Sequence, residues 1–143
     1  MENVRCAYRV STKAIIKNER NEVMFLKESS GVWDLPGGGL DQGESPRDAL
    51  RREIDEETNF TVDWMDDRPA IFWTVRRETG ANPLKWFAFV GYEVKVSGTF
   101  KPTIADEDEM EGIVEAKFFS TAKAAKLNLH DNARALIESL PKH

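Results

Sequence analysis

Residues 38–60 read GGLDQGESPRDALRREIDEETNF, and the placing of their glycines and acids decides how the chain is read. Ser45 is a good N-cap. Pro46 suits the first helical position, where an N–H has no intrahelical acceptor, and Asp48 completes a variant of the capping box. Ala49, Leu50 and Ile54 supply an apolar stripe, so the spacing predicts a helix from about Pro46 to Glu57. At about 100° per residue, Glu53, Glu56 and Glu57 fall within roughly 100° of one another, on a face bordering the apolar one. Asn59 follows, one of the few side chains that tolerates the left-handed conformation on which helices commonly end.

Those acids stand where they do not help the helix. Asp55, Glu56 and Glu57 crowd the C-terminal turn, where the helix dipole disfavours each negative charge by ~0.3–1 kcal/mol. Glu53 and Glu57 are also like charges at i,i+4. Arg51 and Arg52 relieve part of this, and a bound divalent cation would relieve the rest. Oxygen-only ligands select a hard cation, Mg²⁺ or Mn²⁺, over zinc. The alternative is an ordinary solvated acidic helix, the usual fate of charged faces. Against it stands the preceding Leu35-Pro36-Gly37-Gly38-Gly39, whose glycines let backbone approach a phosphate closely. A triple glycine alone marks only a turn; its distance to Glu44 gives it weight.

The order Gly38, Glu44, Arg52-Glu53, Glu56-Glu57 resembles the signature box of the Nudix hydrolases, Mg²⁺-dependent enzymes that cleave nucleoside diphosphates linked to another group. It departs at Asn59, where that family usually has Gly. The resemblance implies an α/β/α sandwich with a mixed central sheet, an α/β (α+β) class, in one domain over 1–143. It implies Glu53 and Glu57 as main metal ligands, Glu56 joining when more than one metal binds, and a further backbone carbonyl from Gly37–Gly39. Glu44 is expected to pair with Arg52 and orient the site. A later Glu acting as base or extra ligand is also usual, and among the acids of 106–111 Glu109 is the first choice, with Glu107 and Glu111 behind it. The catalytic set so implied is Glu53, Glu56, Glu57 and Glu109. Gly37, Gly38, Gly39 and the neighbouring Trp33 form the candidate substrate surface.

Composition fits a small enzyme: 143 residues with 41% hydrophobic content suffice for a core. A net charge of −5 without a basic stripe argues against a nucleic-acid polymer as main partner, and the resemblance implies a small nucleotide as substrate. Cys6 is the single cysteine, so no intrachain disulfide forms. His130 and His143 form no metal cluster. No apolar run reaches the ~18 residues of a membrane span, and the polar N-terminus is no signal peptide, so a cytoplasmic protein is expected. Monomer and homodimer are both open.

Elsewhere Tyr8–Ile16 and Glu22–Glu28 read as a hairpin around Asn18-Glu19-Arg20-Asn21. Phe60–Trp64 and Ala70–Arg77 look extended, Leu84–Val96 is a long aromatic strand expected to break or bend at Gly91, and Ala116–Phe119 is a last short strand. Ser120 caps a short helix to about Leu127, and Ala133, Leu136, Ile137 and Leu140 mark a final amphipathic helix ended by Pro141. Phe72, Trp73, Trp86, Phe87 and Phe89 are placed either for core packing, the commoner role, or for stacking on a base. Strand alternation lets only one of the sets Trp86/Ala88/Val90 and Phe87/Phe89 face a cleft.

The resemblance implies activity at a P–O–P bridge. A nucleoside triphosphate, oxidised or not, is the favoured substrate. The region Val75-Arg76-Arg77 carries neither the Pro nor the Tyr that marks ADP-ribose and dinucleoside-polyphosphate hydrolases of that family. ADP-ribose or another nucleotide sugar is the alternative, as is a non-catalytic nucleotide-sensing module.

Overall fold

The computed structural model describes residues 7–77, 86–103 and 112–140. Among these residues eight strands and three helices follow in the order β1 (Tyr8–Ile15), β2 (Val23–Glu28), β3 (Trp33–Asp34), β4 (Gly37–Gly39), α1 (Pro46–Thr58), β5 (Thr61–Met65), β6 (Ile71–Arg76), β7 (Trp86–Ser97), β8 (Ile113–Phe119), α2 (Thr121–Ala124) and α3 (Asp131–Ser139). One sheet runs β4-β1-β7-β5, with β6 also on β7; β1 and β7 are parallel and the other pairs antiparallel. A second sheet runs β3-β2-β8.

The expected hairpin closes at its turn and then comes apart. Asn18 N–H donates to the Glu22 carbonyl at 3.0 Å and Met24 N–H to that of Ile16 at 2.9 Å, with Asn21 left-handed at φ 62°. Beyond Lys17 and Val23 the strands join different sheets, each as a central member. Ser11–Ala14 and Val23–Leu26 are buried on both faces, which a two-stranded hairpin does not achieve.

Two apolar layers result. Phe25, Leu35, Trp73, Phe87, Phe89 and Phe119 pack under Leu136 and Ile137 of α3. Ala14, Leu26, Tyr92 and Val94 pack under Leu50 and Ile54 of α1. Phe87 and Phe89 face α3 while Tyr92 and Val94 face α1, as alternation along β7 requires. The chain is therefore the mixed α+β sandwich that the box implied. Gly91 does not interrupt β7, which runs unbroken through it. A Cβ there would lie 2.9 Å from Ile71 Cγ2, so the glycine admits close packing. α3 stops at Ser139 and Leu140 is extended (φ −81°, ψ 149°), the conformation favoured before a proline. No helix among the described residues is long and apolar enough to cross a membrane.

Candidate active site

The helix that carries the site forms as its sequence dictates. The Ser45 hydroxyl accepts from Asp48 N–H at 3.2 Å, and Asn59 closes the far end at φ 65°, donating its N–H to the Asp55 carbonyl at 3.0 Å. Asn59 thus holds the left-handed turn that glycine would. Ala49, Leu50, Ile54 and Thr58 are buried, which fixes the rotation of α1 and aims its acids at β4.

β4 is the glycine run, a short strand paired with β1, and its backbone meets the acids directly. The Gly37 N–H donates to Glu57 Oε1 at 2.8 Å. The Glu53 carboxylate lies on the bare Cα of Gly38, where a Cβ would come within 2.8 Å of it. Arg52 binds Glu44 through a two-pronged contact, Nε to Oε2 at 2.8 Å and Nη2 to Oε1 at 2.9 Å. The same guanidinium reaches Glu53 at 3.1 Å, Glu56 at 3.3 Å and the Gly39 carbonyl at 3.3 Å. Glu44 also accepts from Asp41 N–H at 2.9 Å.

The electrostatics follow from these contacts. Desolvation pushes the Glu57 carboxyl up to about 8, against the opposing pull of the Lys13 ammonium and the Gly37 N–H. Burial also raises Glu53, while Arg52 opposes it. Glu44 goes the other way, held down at about 2 by its hydrogen bond from Arg52. Two partly buried carboxylates that resist ionising are short of positive charge, which a hard divalent ion would supply. Among the described residues no three acid, histidine or cysteine side chains converge as a ready-made cage. Two carboxylates still suffice for Mg²⁺, which keeps waters and takes substrate oxygens for the rest. Glu56 stands aside, half exposed against Arg52.

A family model described as "NUDIX domain" matches residues 7–140. The chain belongs to the Nudix family. It is 28% identical over 122 residues to the 8-oxo-dGDP phosphatase NUDT18 of Danio rerio, covering 82% of this chain and 34% of that protein. It is 27% identical over 124 residues to the RNA pyrophosphohydrolase of Ruthia magnifica subsp. Calyptogena magnifica, covering 86% and 62%. The chain thus spans between about a third and three fifths of the length of these curated relatives. Among solved structures, the MutT protein from Methanosarcina mazei Go1 superposes with a TM-score of 0.66 at 24% identity, over 95% of this chain and 94% of that one.

Trp33 does not reach the glycine surface. It is 8% exposed and meets Phe119 edge-on at 5.0 Å, because alternation along β3 turns the indole into the core and Asp34 toward the site. Glu107, Glu109 and Glu111 lie outside the described residues. Of the two aromatic sets, Phe87 and Phe89 are core, while Trp86 lies on the opposite face with Tyr8 and Phe72, which are 43% and 66% exposed. Tyr8 and Trp86 are 5.9 Å apart, with the Arg76 guanidinium 5.9 Å from the Trp86 ring. Sequence reasoning passed over Lys13 and Asp34, which form a 3.0 Å ion pair beside Gly37. The available signal was a lone charged side chain among Thr12, Ala14 and Ile15 in the second half of β1.

Arg52→Ala is expected to harm activity and stability together, the latter by about 2 kcal/mol, the scale of losing charge-assisted hydrogen bonds at a partly exposed site. Turnover and urea unfolding of the variant check this. An inactive variant of unchanged stability would instead assign Arg52 to direct phosphate contact.

Proposed function

We propose that this Nudix domain is a Mg²⁺- or Mn²⁺-dependent pyrophosphohydrolase of a nucleoside polyphosphate. The observation that carries the proposal is the packing of Glu53 and Glu57 against Gly37 and Gly38, two carboxylates short of positive charge beside a side-chain-free strand. In this reading Glu53 and Glu57 hold the cation, with Glu56 the solvent-facing acid of the same helix. When bound, the cation neutralises phosphate oxygens and lowers the pKa of an attacking water. The chain supplies position. The Gly37 N–H fixes Glu57, Arg52 fixes Glu53 and Glu44, and the bare strand lets a phosphate chain lie close to both acids. Water adds to one phosphorus, the bridging P–O bond breaks, the leaving phosphate departs with the bridging oxygen, and the water's proton passes to a carboxylate. A nucleoside triphosphate, oxidised or not, is the favoured substrate. The names of the relatives support nucleotide chemistry of this kind: one is an 8-oxo-dGDP phosphatase and another an RNA pyrophosphohydrolase.

The test is a release assay for phosphate and pyrophosphate, run with and without EDTA. Its substrates are dGTP, 8-oxo-dGTP, 8-oxo-dGDP, ADP-ribose, a UDP-sugar and 5′-triphosphate RNA. Metal-dependent turnover of a nucleoside di- or triphosphate is expected to exceed that of the sugar conjugates. Binding of any of these without turnover would make the domain a nucleotide sensor.

A further inference from the structure

Lys13 is 4% exposed, in the middle of β1. Its ammonium donates to Asp34 Oδ2 at 3.0 Å, the Leu35 carbonyl at 3.2 Å and the Gly37 carbonyl at 3.3 Å, which uses all three of its donors on oxygen. A lysine is rarely buried so completely, and burying one costs free energy unless its partners are close. The partners here are not spread through the core. They belong to the segment entering and opening the glycine strand. Gly37 is gripped on both sides, its N–H by Glu57 and its carbonyl by Lys13. The Gly39 carbonyl is likewise held by Arg52. The charge of Lys13 is felt by both Glu53 and Glu57.

We propose that Lys13 is a positioning residue that acts as a resident counter-cation of the glycine strand. It holds the Gly37 carbonyl and Asp34 in place and sets how strongly the Glu53–Glu57 pair draws a divalent ion. The proposal rests on the function proposed above and adds a residue outside the box to its machinery. Its logic gives opposite signs for the two members of one ion pair. Removing the ammonium takes a positive charge from beside the acids and frees the Gly37 carbonyl, so a divalent ion binds the free protein more tightly. Removing the Asp34 charge leaves the ammonium unbalanced, so the ion binds more weakly. In both cases turnover falls, because the Asp34–Lys13–Gly37 chain of contacts that sets the start of the glycine strand against the acids is broken.

The experiment is Mn²⁺ binding to the nucleotide-free protein, followed by electron paramagnetic resonance, for the wild type, Lys13→Met and Asp34→Asn. Circular dichroism confirms the fold of each. Lys13→Met is expected to tighten Mn²⁺ binding at least about tenfold and Asp34→Asn to weaken it by a similar factor, the direction set by Coulomb's law at a partly buried site. kcat is expected to fall at least about tenfold in each, with a smaller change in KM. A structural role alone weakens Mn²⁺ binding in both variants, and that outcome overturns the proposal, as does unchanged affinity in both. Should Lys13→Met fail to fold, Asp34→Asn decides together with Lys13→Met/Asp34→Leu, a pair that removes both charges. Weakened binding in Asp34→Asn with near-wild-type affinity in the double variant sustains the proposal, and any other result overturns it. Wild-type protein that binds no Mn²⁺ overturns the function proposed above as well, which separates that failure from this one.

Discussion

Glu57→Gln is expected to lower turnover by about 10²–10⁴-fold, the scale of losing an essential group, while folding more stably than the parent in EDTA at alkaline pH. The amide keeps the shape of the acid and still accepts from the Gly37 N–H, so the strand remains anchored. The stability gain follows from linkage. The ordinary carboxyl value of 4.5 is raised to about 8 in the folded protein, chiefly by desolvation. Between those values the native state holds a proton that the unfolded chain has released. The contribution of Glu57 is therefore fully present below pH 4.5 and is lost as pH rises through 8. Glutamine does not ionise and avoids the loss. Urea melts in EDTA should show the two proteins close together at pH 5 and separated at pH 8.5, with the variant ahead. Adding Mg²⁺ should restore the parent by mass action and do little for the variant. Equal melts at both pH values would sink this account of Glu57, and near-parental turnover would remove it from the site.

Gly37→Ala is expected to be the most damaging single change in the glycine strand, costing about 4 kcal/mol, near the upper end for point substitutions, with turnover lost as well. A Cβ at Gly37 would lie 2.1 Å from the Thr12 carbonyl oxygen and 2.9 Å from Lys13 Cα, both backbone atoms of the paired strand. The residue also sits at φ 131°, which L side chains rarely adopt. Neither clash is relieved by a rotamer, so β4 must part from β1. Gly43→Ala is the control, since Gly43 has φ 82° but open space around it. It should cost only ~1–2 kcal/mol of backbone strain. Denaturant unfolding of both variants checks the difference. A Gly37→Ala protein as stable as Gly43→Ala would mean that the two strands are not packed this closely.

What could be read in the sequence was local. Ser45, Pro46 and Asn59 act within one or two turns of themselves, and each does in the structure what its chemistry requires, whereas Asp48 gives its N–H to the cap without a side-chain bond back to Ser45. The pairing of Glu44 with Arg52, implied by the family box, is likewise present. What escaped depends on partners far along the chain. Tyr8–Ile15 and Val23–Glu28 have hairpin spacing, but their two-sided burial sends them to different sheets, one toward β7 and the other toward β8. Trp33 lies next to the glycines in sequence, yet the facing direction of β3 depends on its register with β2. The role of Lys13 becomes legible only when β4 folds back on β1 and brings Asp34 and Gly37 to its ammonium. A strand's apolar alternation says which side chains share a face, but not which neighbour covers it.

The parallel ladder between β1 and β7, running from Tyr8 opposite Trp86 to Ile15 opposite Glu93, has a consequence for biosynthesis. Antiparallel neighbours find each other through short turns, whereas this pairing must wait for dozens of intervening residues. A ribosome adding ~5–20 residues per second therefore exposes β1, β4 and α1 for seconds before their central support exists. During that interval β1, the strand on which the glycine strand pairs, lacks its own support from β7. The chemical centre is encoded early in the chain and assembled late. A nascent chain halted before Trp86 should thus be open to proteases along β1, and one that has passed Glu93 and cleared the exit tunnel should be protected there.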